Sequence, residues 1–222
     1  MNISSQASKP VSDKPHSFAI RVPAIILSWI FHPIFIPVYV IAFMVYLHPT
    51  YFAGFSQQAK QQTLLVVLLN MVFFPLLSIV LLKALGFIES IYLHTQRDRI
   101  IPYIACSIFY FWAYLVFKKQ GIYPNVLPSF IFGVFLSCNA ALMANIYQKI
   151  SIHAMGVGGW LGFFLVVAFS QTMLMTWPVS MVILIAGLVC TSRLLISDHT
   201  NKELYTGFFL GVICQFIAAV VI

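Results

Sequence analysis

AMGVGGWLGFFLVVAFSQTMLMTWPVSMVILIAGLVCTSRLL, residues 154–195, carries one charged side chain, Arg193, in 42 positions. A bilayer core is crossed by about 20 helical residues. The stretch therefore reads as two crossings, 154–175 and 177–195, joined by a tight connection around 176–177. Helix is the form open to it, because lipid tolerates no unpaired backbone and the run lacks the alternating polarity of a barrel strand.

Working outward, five more apolar runs appear at 22–47, 63–83, 100–117, 125–147 and 204–222. Composition agrees: 61% of the 222 residues are hydrophobic and 8% are charged, against about 25% charged in a soluble domain. The expected fold class is all-α, a polytopic transmembrane bundle of six or seven helices. Residues 21–222 form its single domain, behind a disordered polar tail over 1–20 that has no apolar signal core. Pro33, Pro37 and Pro75 fall inside the first two runs and predict kinks. Gly158 and Gly162, four apart, predict close helix packing.

Cys106, Cys138, Cys190 and Cys214 each stand alone in an apolar run, without metal-ligand spacing. Neither a metal nor any other cofactor is expected. The net charge of +7 reads mainly as basic anchors at membrane ends, with lipid rather than nucleic acid as the partner. His32, inside the first run and followed by Pro33, reads as a hydrogen-bonded bundle residue and not a haem ligand.

Counting crossings sorts the connections. With seven crossings, 93–102, 148–153 and 192–203 share the side of the N-terminus, and 48–62, 118–125 and 176–177 lie opposite. The first side gathers Arg97, Arg99, Lys149 and Arg193 with His94, His153, His199, Asp98, Asp198 and Glu203. Arginine forks match phosphate oxygens, and fixed positive charge stabilises a phosphoryl transition state. Two histidines allow one nucleophile and one general acid. His199 and Glu203 are four apart, so on a helix the carboxylate reaches the imidazole and leaves its other nitrogen free to attack. Thr200-Asn201-Lys202-Glu203 also fits a capping box, and the two roles are compatible.

Ser192-Arg193, five residues, His199, three residues and an acid is similar to the third signature of the type 2 phosphatidic acid phosphatase superfamily, SR-x5-H-x3-D. Gly207 and Gly211 fall where members carry small residues in the next helix. The resemblance implies His199 as nucleophile, Glu203 as its orienter, and Arg193 with Ser192 on the phosphate. Ile150-Ser151-Ile152-His153 keeps the serine and histidine of the PSGH signature without its proline and glycine. It implies His153 as the acid protonating the leaving group and Ser151 on the phosphate. Gln96-Arg97-Asp98-Arg99-Ile100-Ile101-Pro102 stands for K-x6-R-P in altered spacing, which implies phosphate binding by Arg97 and Arg99. The similarity covers roughly 90–215.

The expectation is thus a metal-independent membrane phosphatase. It would release phosphate from a lipid phosphate or polyprenyl diphosphate through a phosphohistidine, as a multi-pass protein of a bacterial inner membrane. The alternative is a catalytically silent relative that binds or transports a phosphorylated lipid. A small-solute transporter fits less well, because neither inverted repeats nor broken midplane helices are evident. Setting aside the three site arginines, six Lys and Arg share the site's side and three lie opposite, which favours a cytoplasmic site. Members of the superfamily in bacteria often work at the outer face, so the side stays open. The lipid and the oligomeric state are likewise open.

Overall fold

The computed structural model describes residues 18–91, 93, 95–196 and 199–222. Most of the expected tail, 1–17, lies outside them, as do His94 and Asp198. Positions 18–20, expected in the tail, are already helical, because Phe-Ala-Ile opens the apolar run.

The first predicted crossing is two helices, not one. Helix α1 (Phe18–Ile30) and helix α2 (Ile36–Ala42) flank a break, and α2 continues as a π-helical turn over Phe43–Leu47. Pro33 causes the break, since it lacks an N–H and disfavours helical backbone at His32. The second crossing joins α3 (Gln57–Leu68), a π-helical turn (Leu69–Phe73) and α4 (Phe74–Ala84). Pro75 sits in the first turn of α4, where its missing N–H leaves the preceding turn to rearrange.

Helices α5 (Gln96–Gln120), α6 (Val126–Ala144), α7 (Ile152–Phe169), α8 (Thr176–Ile196) and α9 (Asn201–Val221) follow. The predicted run 154–175 ends six residues early. Its polar Ser-Gln-Thr exits the helix, with Gln171 at φ 53°. Ser170 Oγ donates to the Val167 carbonyl at 2.7 Å, and Thr172 Oγ1 meets His48 Nε2 at 3.1 Å.

Among the described residues six helical spans are long and apolar enough to cross a membrane. Large apolar side chains face outward along them, including Trp112, Ile183, Leu184, Phe209 and Val220. Lipid solvates such a surface and water would not. The chain is a multi-pass membrane protein built as an all-helical bundle.

Two contacts organise the bundle around the site. α7 and α9 run side by side with their backbones in contact. A Cβ on Gly158 would lie 2.1 Å from the Phe208 carbonyl oxygen, and one on Gly162 would lie 2.8 Å from Val212 Cα. The α2 segment follows α7 through ring contacts, Tyr39 on Trp160 at 5.8 Å and Phe43 on Phe164 at 4.6 Å. Under these rings sits a core that includes Val40, Met44, Phe130 and Phe163.

The connections meet end to end as the crossing count requires. Gln96 and Asn145 exchange two side-chain to carbonyl bonds at 2.7 Å, and Ser151 N donates to the Glu203 carbonyl at 3.2 Å. At the opposite end His48 stacks on Tyr51, whose hydroxyl meets Ser170 Oγ at 3.3 Å.

Candidate functional site

The site begins at the N-terminus of α9. Thr200 caps the helix by accepting from Glu203 N at 3.3 Å, and Glu203 Oε2 accepts from Thr200 N at 2.9 Å. The same carboxylate oxygen meets His199 Nδ1 at 3.4 Å. A carboxylate only accepts, so it holds the ring proton on Nδ1 and leaves a lone pair on Nε2. The His199 side chain is 4% exposed. Burial, then the charges of Arg99 and Arg193, pull its pKa from 6.5 down to about 4 against the opposing pull of Glu203. The ring is therefore neutral at pH 7, the form a nucleophile needs.

Three elements bring cations and a second histidine to this ring. Arg193 stands in the last turn of α8, half-buried, close enough for its charge to reach His199, His153 and Arg99. Arg99, in the first turns of α5, is buried. Its Nε donates to the Leu93 carbonyl and its NH1 nitrogen to the Ile150 carbonyl, each at 2.9 Å. Leu93 takes a left-handed backbone, φ 52°, to turn that carbonyl inward. Those bonds clamp the start of α5 to the turn before α7.

His153, in the first turn of α7, donates from Nε2 to the Ser28 carbonyl at 3.2 Å. Its Nδ1 is the nitrogen left for chemistry. Ser28 belongs to α1, which lies outside the motif-bearing part of the chain.

The structure thus brings together His199, Glu203, His153, Arg193 and Arg99. It does not bring in Arg97, which is exposed beside Asp98 on the outer face of α5. Ser151 is fully buried, and its hydroxyl caps α7 by accepting from Ala154 N at 3.4 Å. Ser192 is buried too, and donates its hydroxyl to the Leu188 carbonyl within α8 at 2.8 Å. One neighbour was missed from the sequence: His32, whose ring meets the His153 ring edge to face with centroids 5.1 Å apart. The signal available was the His-Pro pair interrupting an apolar run. A cleft of about 720 Å³ opens on the lipid side of α4, α5 and α6 rather than at the histidines, lined by Ile104, Trp112, Phe135 and Leu142 among others.

Among the described residues no group of three or more His, Cys, Asp or Glu is placed to hold a metal ion. The chain matches no protein-family model, no curated protein and no solved structure.

Proposed function

We propose that this is an integral membrane phosphatase acting on a phosphorylated lipid or polyprenyl diphosphate at the bilayer surface. The observation that carries the reading is the neutral His199 ring, oriented by Glu203 through Nδ1, with Arg193, Arg99 and His153 around it. In the reaction, His199 Nε2 forms a bond to phosphorus while the bond from phosphorus to the leaving oxygen breaks. His153 takes up a proton as the anionic substrate binds, donates it from Nδ1 to that oxygen and keeps Nε2 on the Ser28 carbonyl. Water then attacks the phosphohistidine, gives its proton to His153, and inorganic phosphate leaves.

Arg193 and Arg99 stabilise the charge on the phosphoryl oxygens in both steps. The buried hydroxyls of Ser151 and Ser192 have no share in this scheme. The cleft beside α5 supplies an apolar path for a lipid tail, starting from Ile104 and Leu142 near the site's end of the bundle.

The test is phosphate release by purified protein from phosphatidic acid, phosphatidylglycerophosphate and undecaprenyl diphosphate, without added metal, beside His199→Ala. Release lost in the variant is expected. No release by the wild type, or equal release by both, removes the phosphatase mechanism. Tight binding of phosphorylated lipid without turnover would instead support the silent lipid-binding relative.

A further inference from the structure

His32 lies in the break between α1 and α2, far in sequence from every motif read above, yet its ring stands against His153. The Arg193 charge also reaches it. Its Nδ1 accepts from Ile34 N at 3.4 Å. A ring nitrogen that accepts carries no proton, so the ring is neutral and its hydrogen sits on Nε2, on the opposite edge. Among the described residues no side chain or carbonyl takes that hydrogen.

We propose that His32 is a phosphoryl-binding residue, its Nε2–H donating to a phosphoryl oxygen held by Arg193 and Arg99. This inference rests on the phosphatase reading. Its physical sense lies in the local charge. Two guanidinium groups, joined in the reaction by the protonated His153, already share a poorly hydrated site, and a further permanent cation beside them would be repelled. A neutral N–H adds a hydrogen bond to the anion without adding charge. It also explains why the helix breaks here: Pro33 ends α1 where an imidazole can turn toward the start of α7. The phosphate-binding groups then draw on the start of the chain as well as its later helices, with α1 holding His153 through Ser28 and the break supplying a ligand.

Two substitutions separate ligand from spacer. His32→Gln places an amide N–H near the position of Nε2 and gives up the Ile34 contact. His32→Asn keeps an acceptor near Nδ1 for Ile34 N and has nothing at Nε2. Each is assayed for KM on phosphatidic acid and for inhibition by inorganic phosphate, with thermal unfolding in detergent as the check on folding. A ligand role predicts that Asn raises both constants about tenfold, the worth of one hydrogen bond to a charged partner. Gln should stay within about threefold.

The opposite pattern, Asn rescuing and Gln failing, marks a residue that only braces the break and overturns the inference. Unchanged constants in both variants, or unfolding of both, overturn it as well. In those cases wild-type turnover and phosphate inhibition leave the phosphatase reading standing. A wild type that releases no phosphate and is not stabilised by inorganic phosphate overturns both.

Discussion

Gly211→Ala tests the frame that holds the site. The added Cβ would lie 2.2 Å from the Met155 carbonyl oxygen and 2.7 Å from Gly159 N. Both are backbone atoms of α7, so neither can rotate away. Ordinary contact begins at 3.4 Å, which leaves the seam short by about 1.2 Å. α7 and α9 must separate by that distance or bend. Overpacking of this kind costs about 1–3 kcal/mol. The Ser151 N to Glu203 carbonyl bond, which spans the same two helices, stretches from 3.2 Å and loses about 1 kcal/mol more. Higher helix propensity of alanine returns up to about 1 kcal/mol.

A net loss of about 2–3 kcal/mol corresponds to a fall in Tm of roughly 4–12 °C at this chain length. Gly187→Ala is the matched control, because nothing lies within 4 Å of its Cβ position. It should melt at or slightly above the wild-type temperature. Trp160, buried on α7 near the seam, reports the transition by fluorescence in detergent. Separation by about 1 Å also pulls His153 from His199, and turnover should fall about a hundredfold. If Gly211→Ala and Gly187→Ala melt together, the two helices do not touch through backbone and this account of the site's support is wrong.

Glu203→Gln keeps an oxygen to accept from Thr200 N, so the cap and Tm should hold while phosphate release drops about a hundredfold. Losing the carboxylate, which raises the His199 pKa, should also move the acid limb of kcat/KM to still lower pH. Arg99→Lys loses a fork that reaches two carbonyls, and about 2 kcal/mol of stability with it. Arg97→Ala should shift Tm by less than the equivalent of about 0.5 kcal/mol, and equal effects of the two would contradict the placement of Arg99. The pH dependence of stability follows from His199: unfolded, its ring takes a proton near pH 6.5, but the folded ring refuses one until about 4. Stability is therefore full above about 6.5 and declines as pH falls through that window, by about 2 kcal/mol between pH 7 and 5. Thermal melts of His199→Asn should show a flatter acid slope, and an unchanged slope would assign the proton elsewhere.

Much of the architecture was readable because lipid imposes one-dimensional rules. A crossing needs a long apolar helix, so apolar runs mark the spans, and their number sorts the loops between two ends. His199, His153, Arg193 and Arg99 thus fall at one end by sequence alone, and in the structure they lie close together there. The spacing His199-x3-Glu203 was legible for the same reason, since four residues make about one helical turn and the contact is local.

Other features were not local. Arg97 and Arg99 are equivalent in a sequence, but only the rotation of α5 against the turn before α7 buries one and exposes the other. Ser151 and Ser192 match motif positions, yet caps and helix carbonyls compete for their hydroxyls. Helix α7 ended early because Ser170 and Thr172 bond with a loop more than 100 residues away.

From the sequence alone came the all-helical membrane fold, the common end of the polar connections and the His199–Glu203 pair, because these depend on length, polarity and helical period. The tertiary structure decided which arginine faces the histidines, how closely α7 approaches α9, and that the His32 break reaches His153. Those depend on how helices rotate and pack against partners distant in the chain, and no local pattern encodes them.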